Sequence, residues 1–225
     1  MEQPTRQRLT TPELDPRSIK VFKRVADDFG RRYAEEFLYP HLRKILAVEI
    51  DDVEGIKESY MTAKGCLLAF YGHYAFARRG KDRDDLSRFA REAVERIQDG
   101  GSFDEVLKTA DGALLWESFA SICQEKRRKN NEAQNRGLIQ GMLELSQEIY
   151  ESDKNGSIAN WMLKGISQTQ RLEPQFERMV DIRGVGPKSS STFMRDVVYI
   201  FVCEAKIEPA DRIYIHPIDR WLRTM

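Results

Sequence analysis

The stretch Ile182-Arg183-Gly184-Val185-Gly186-Pro187-Lys188-Ser189-Ser190 holds the residue types and spacing in this chain that call for a chemical explanation. Two glycines flank a valine, so two backbone positions are bare, and angles closed to side chains are expected at both. Pro187 suits the first turn of a helix, where its missing N–H would have had no partner. Glu173-Pro174 opens a short preceding helix in the same way, with Phe176, Met179 and Val180 on its apolar face and Ile182 plugging the turn. Ser189 and Ser190 are small enough for two helices to cross closely, and Phe193, Val197, Ile200 and Phe201 supply the second helix's buried side. The pattern predicts a helix, a tight hairpin and a helix.

Such a hairpin has a specific physics. The amides of the turn and of the next helix's first turn converge, and the helix dipole adds partial positive charge, which together favour an anion. A nucleic-acid phosphate fits there without its sequence being read. Arg183, Gly184, Val185, Gly186 and Ser189 are the residues expected at that contact. The local geometry matters because the chain carries 36 basic and 36 acidic residues, so overall charge gives no argument for a polyanionic partner. The plainer alternative is a structural glycine turn between two helices.

The elements that must position this hairpin read almost entirely as helix. Ile19, Phe22, Val25, Phe29, Tyr33 and Phe37 recur every three or four positions, and Pro40 then predicts a break or kink. A second run covers residues 52–77 and stops at Arg78-Arg79-Gly80. A third, residues 82–101, starts with carboxylates and closes on a glycine pair. Ser102 with Glu105 three residues on is a capping-box pattern, and Trp116, Phe119 and Cys123 continue that run as a stripe. Leu138, Met142, Leu145 and Ile149 align on another helix. Ile158, Trp161, Met162 and Ile166 align on the next, with Ser157 as its cap. No alternation is long enough for a sheet, so the fold class is all-α. Residues 1–16 are expected to be a flexible leader, 17–172 a helical region, and 173–225 the hairpin module.

Composition excludes several classes. Three cysteines (Cys66, Cys123, Cys203) lie far apart in no paired motif, and three histidines are equally scattered. Neither a disulfide framework nor a metal site is expected, and a reducing cytoplasm fits. No apolar run approaches membrane-spanning length, so no membrane partner is expected.

With "IRGVGPKSSSTFMRDV" followed by "IHPIDRWLR", the chain resembles the helix-hairpin-helix DNA glycosylase superfamily, and within it the 8-oxoguanine DNA glycosylase/lyase branches. The likeness covers residues 173–225. It implies a helical glycosylase-like bundle acting as a monomer on double-stranded DNA containing a damaged base. It implies no organic or metal cofactor, a monovalent ion at the hairpin at most, and a cytoplasmic, nucleoid-associated location, or a nuclear one in a eukaryote. Lys188 stands where the family carries its nucleophile, and Asp219 where it carries an aspartate after a short extended segment, with Pro217 in the linking loop. The implied chemistry is coherent. An uncharged amine attacks C1′ of the deoxyribose and displaces the base, giving an imine, and β-elimination then cleaves the strand. A carboxylate stabilises the positive charge that grows on the sugar, and the damaged nucleotide must leave the stack to be reached.

Two departures shape expectations. The stretch between Lys188 and Asp219 is longer than in the commonest branch and adds "CEAKIEPADRI", read as an extra loop. The chain also ends soon after Asp219, where family members continue into helices behind the aspartate, so that support is expected from the N-terminal helices or from residues beyond. Further candidates are His216, which could orient Asp219 or touch phosphate, Arg220, and the basic run Lys126, Arg127, Arg128 and Lys129. That run could contact phosphates or fill the gap left by a flipped nucleotide, or it could simply be a solvated helix end. Phe70, Tyr71, Tyr74 and Phe76 are expected in the core rather than as a base-stacking wall, and Trp221 is expected to pack. Two other functions stay open: a non-catalytic DNA-binding module in which Lys188 only meets phosphate, and a monofunctional glycosylase using Asp219 and water.

Overall fold

The computed structural model describes residues 17, 20, 21, 24, 28, 30, 32–49, 52–76, 82–98, 101–109 and 111–216. The expected leader, Arg78-Arg79-Gly80, Pro217, Asp219, Arg220 and Trp221 lie outside them. Among the described residues there are ten α-helices and no strand, as the periodicity predicts. No helix among them is long and apolar enough to cross a membrane. The chain divides into two compact units, Met1–Pro40 and His41–Met225.

In the first unit, Tyr33–Leu38 is a π-helical segment, with the Tyr33 and Phe37 rings 5.6 Å apart. Pro40 does not break the chain's helical course. The Tyr39 N–H bonds back five residues to Ala34, and α1 (Tyr39–Leu46) begins at once, with Pro40 in the first turn where its missing donor does no harm.

The second unit holds α2 (Val53–Tyr60), α3 (Ala63–Ala69), α4 (Arg83–Gln98), α5 (Phe103–Thr109), α6 (Gly112–Glu125), α7 (Glu132–Asp153), α8 (Ile158–Thr169), α9 (Glu173–Val180) and α10 (Pro187–Ile200). Two runs read as continuous are divided. Residues 52–77 split at Thr62, whose backbone is extended and whose hydroxyl accepts from the Gly65 amide at 3.1 Å. Helices α5 and α6 part at Asp111, whose carboxylate caps the Ala113 amide at 2.9 Å. Short polar side chains that satisfy the opening amides make each restart favourable. Ser157 caps α8 as predicted, accepting from Asn160, while its hydroxyl also donates to the Tyr60 carbonyl at 2.5 Å. Trp161 is only half-buried, unlike Ile158, Met162 and Ile166 on the same helix.

The core centres on a second π-helical segment, Phe70–Tyr74. Phe70, Tyr71, Tyr74 and Phe76 are all buried, so these rings are core. The Phe193 ring of α10 lies 5.5 Å from Phe70 and 5.2 Å from Tyr74, both edge-on, and 6.3 Å from Tyr60. Their polar ends are satisfied: Tyr71 donates to the Ile139 carbonyl at 2.8 Å, and the Tyr60 and Tyr74 hydroxyls lie 3.0 Å apart. This aromatic hub holds α10 against α2, the π-helical segment and, through Tyr71, α7.

The expected extra loop is an ordered fastening. It holds two 3-10 turns, Glu204–Lys206 and Asp211–Ile215, and the second runs back against α9 and α10. Buried Asp211 accepts the Leu172 and Glu173 amides at 2.6 and 3.0 Å and takes Arg171 at 2.9 Å, so it caps α9 from across the chain. Tyr214 adds a hydrogen bond to Glu173 at 3.0 Å and a ring contact with Phe176. Burial pushes the Asp211 carboxyl up, but the two amides and the arginine outweigh it and hold it below its ordinary value. Asp211→Ala is expected to destabilise the protein by about 2 kcal/mol, a cap and a buried charge contact together. Because the folded-state pKa is depressed, the carboxylate's contribution is full above the unfolded value near 4 and is lost as pH falls through the folded one. Urea midpoints of wild type and Asp211→Asn should therefore converge below about pH 4.

Candidate nucleic-acid interface

Helices α9 and α10 are joined by a turn at residues 181–186. The turn closes on itself: the Ile182 amide bonds the Met179 carbonyl at 3.2 Å, and the Val185 amide bonds the Ile182 carbonyl at 2.9 Å. Ile182 and Val185 are buried, as plugs of the turn should be.

The two glycines do different jobs. Gly184 has φ +96°, in the left-handed region, and a Cβ there would stand 3.0 Å from Leu138 Cβ and 3.1 Å from the Gln134 carbonyl of α7. Gly186 has φ −99° and ψ 166°, ordinary extended backbone, and a Cβ there would meet nothing within 4 Å. The expectation that both need angles closed to side chains is thus corrected: only Gly184 does, and Gly186 leaves open space on the outside of the turn. Gly184→Ala should cost about 2 kcal/mol or more in urea denaturation, since strain and a clash with backbone add. Gly186→Ala should stay within about 0.5 kcal/mol of wild type.

Helix α7 supplies the seat. A Cβ on Gly137 would lie 2.8 Å from Arg183 Cβ, and one on Gly141 would lie 2.6 Å from Ile182 Cγ2. These glycines, four residues apart inside a 22-residue helix, went unread in the sequence. The available signal was their cost, about 1 kcal/mol each against alanine, which a helix tolerates where another backbone must come close.

Lys188 lies in the first turn of α10, half-buried, with its backbone carbonyl accepting from Thr192 Oγ1 at 2.7 Å. Among the described residues no side chain caps this helix; its N-cap is Gly186, and the Ser190 amide bonds the Gly186 carbonyl at 3.0 Å. An uncapped helix start beside open space is a place where an oxyanion is stabilised. Arg183 is exposed beside it, and Ser189 is half-buried. Among residues 190–200 only Thr192, Arg195 and Tyr199 are not buried. With Lys188 they fall at helical spacings on one open face.

The basic run follows α6 directly, with Lys126 as its C-cap. The Arg128 amide bonds the Cys123 carbonyl at 2.8 Å, and Arg127 is left-handed at φ 55°. Lys126, Arg127 and Arg128 are exposed, and Arg128 meets Asp85 at 2.7 Å. Arg128 and Lys129 line a shallow depression of about 700 Å³ with Trp116, Gln124 and Asn131. From Asn131 to Leu138, against which Gly184 packs, is seven residues of helix, about 10 Å. The structure therefore brings the basic run and the hairpin to the same end of α7. His216 is exposed at the end of the described residues, its amide bonded to the Ile213 carbonyl. Asp219 and Arg220 lie outside the described residues.

Among the described residues no group of three histidine, cysteine or acidic side chains is placed to hold a metal ion. The three cysteines are unpaired and buried. Burial pushes the Cys66 and Cys123 thiols up to about 11, which leaves both poor nucleophiles. Among known proteins, the chain matches no family model, no curated protein and no solved structure.

Proposed function

We propose that this protein binds duplex DNA through the 181–186 turn and removes an oxidised base, 8-oxoguanine first, through a covalent lysine intermediate. The observation that carries the reading is the position of Lys188. It is half-buried on the one open face of α10, directly after a turn locked against α7 by Gly184 and bare to the outside at Gly186. A phosphate held at the turn would bring the adjoining sugar toward the lysine side chain.

In the reaction the uncharged Lys188 amine bonds to C1′, and the bond from C1′ to the base breaks, with the base leaving on its electron pair and taking a proton. The sugar ring opens to an imine. Loss of a C2′ proton then expels the 3′ phosphate and cuts the strand. Asp219 is the carboxylate assigned to stabilise the developing charge on the sugar, on its place in the sequence. The chemistry draws on protein groups alone.

Borohydride trapping tests this. Protein incubated with a duplex carrying 8-oxoguanine, and separately with one carrying an abasic site, is expected to give a covalent protein–DNA adduct on reduction. Binding with no adduct on either duplex would leave a non-catalytic DNA-binding module. Base release with no adduct would instead assign the chemistry to Asp219 and water.

A further inference from the structure

Arg195 and Asp196 are adjacent on α10, and consecutive helical side chains point about 100° apart, so they do not ordinarily meet. Here they do. Arg195 Nε donates to Asp196 Oδ1 at 2.8 Å and Nη2 lies 2.8 Å from the same oxygen as an ion pair, so the guanidinium is folded back across the helix. The Asp196 side chain is fully buried, while Arg195 keeps about a third of its side chain in solvent, 34%. On the inner side, Asp196 Oδ2 lies 3.9 Å from His73 Nε2, on the π-helical segment. Burial, with His41, Arg83 and Arg195 nearby, lowers His73 to about 3, so His73 is neutral and brings no positive charge to the carboxylate.

A carboxylate in this position is expensive. Its neighbours on the helix, Phe193, Met194, Val197 and Val198, are all buried and apolar, so the charge needs partners to be held there. What the carboxylate achieves is orientation: it fixes an arginine fork on the face that also bears Lys188. The two basic residues are seven positions apart, two turns, about 10 Å along the axis. That is about three steps of a stacked strand at ~3.4 Å each, so the two residues can meet one strand at nucleotides a few steps apart.

We propose that Arg195 is a second phosphate-binding residue, gripping the same strand a few steps from the nucleotide that Lys188 faces, with Asp196 as its positioning residue. This rests on the DNA-binding reading above. The ligand is a backbone phosphodiester, which a guanidinium meets through its donor fork.

The test is the salt dependence of binding to a duplex containing a tetrahydrofuran abasic analogue, which binds without forming an imine. Wild type is expected to bind at low salt. Arg195→Gln alone would leave a buried charge without its arginine, so the double change Arg195→Gln/Asp196→Asn accompanies it. Either variant that folds should weaken binding about tenfold at 0.1 M salt and flatten the slope of log Kd against log salt by about 0.9, the signature of one lost phosphate contact. Arg195→Lys should restore the slope. Asp196→Asn should weaken binding with the slope kept, a split that a merely structural role would not produce. If the double variant matches wild type in affinity and slope, this proposal falls and the hairpin reading stands. If wild type fails to bind at low salt, both fall.

Discussion

Lys188→Gln is expected to keep the fold and to abolish the reducible adduct. Glutamine at this position keeps the backbone and most of the side chain's length. The Lys188 backbone belongs to the first turn of α10, the hydrogen bond from Thr192 goes to its carbonyl, and the side chain sits on an open face. Urea midpoints should therefore agree to within about 0.5 kcal/mol. Glutamine keeps the length and a polar end but has no basic nitrogen to attack a sugar. The rate of adduct formation on an abasic duplex should fall on the order of a thousandfold, the scale on which the loss of a reacting group is felt. Binding to the same duplex should change far less, because the turn's amides and Gly186 are untouched. An adduct forming at the wild-type rate would remove Lys188 from the chemistry.

The largest expected effect on stability is at Phe193. It is fully buried and sits among Tyr60, Phe70 and Tyr74, with ring centres 5.2 to 6.3 Å away. Phe193→Ala should cost about 3–5 kcal/mol by removing the ring and leaving a cavity that three other rings cannot close. Urea denaturation at neutral pH measures it, with a midpoint shift at constant slope as the expected form. The same residue lies only five positions from Lys188, so the two variants separate the roles of one helix: one disables an open face, the other loosens the hub beneath it.

Much of the architecture was legible because helical burial leaves a periodic trace. Leu138, Met142, Leu145 and Ile149 are all buried as their spacing requires, and Ser157 and Pro187 stand where caps and first turns want them. What escaped was non-local or sterically subtle. Thr62 and Asp111 restart helices inside runs whose apolar period continues across the break, so periodicity alone could not divide them. The aromatic run at residues 70–76 covered too much of a helix for one face because its backbone is π-helical and its rings form the hub itself. Asp211 caps a helix that starts 38 residues earlier in the chain, a partnership that no local pattern announces. At the hairpin, the position of the turn was readable, but the difference between its glycines was not. It depends on what stands beside each Cα, and α7 supplies that for Gly184 only. Asp196 looked like an ordinary polar helix residue, and only packing reveals a carboxylate inside the core.

The interlock of Gly137, Gly141 and Gly184 has a consequence for modularity. The turn is not a portable cassette: residues 173–200 transplanted onto another scaffold would leave behind the socket on α7 that it was shaped for. Inheritance or engineering that changes one of these elements must change the other with it, far apart as they lie in the chain.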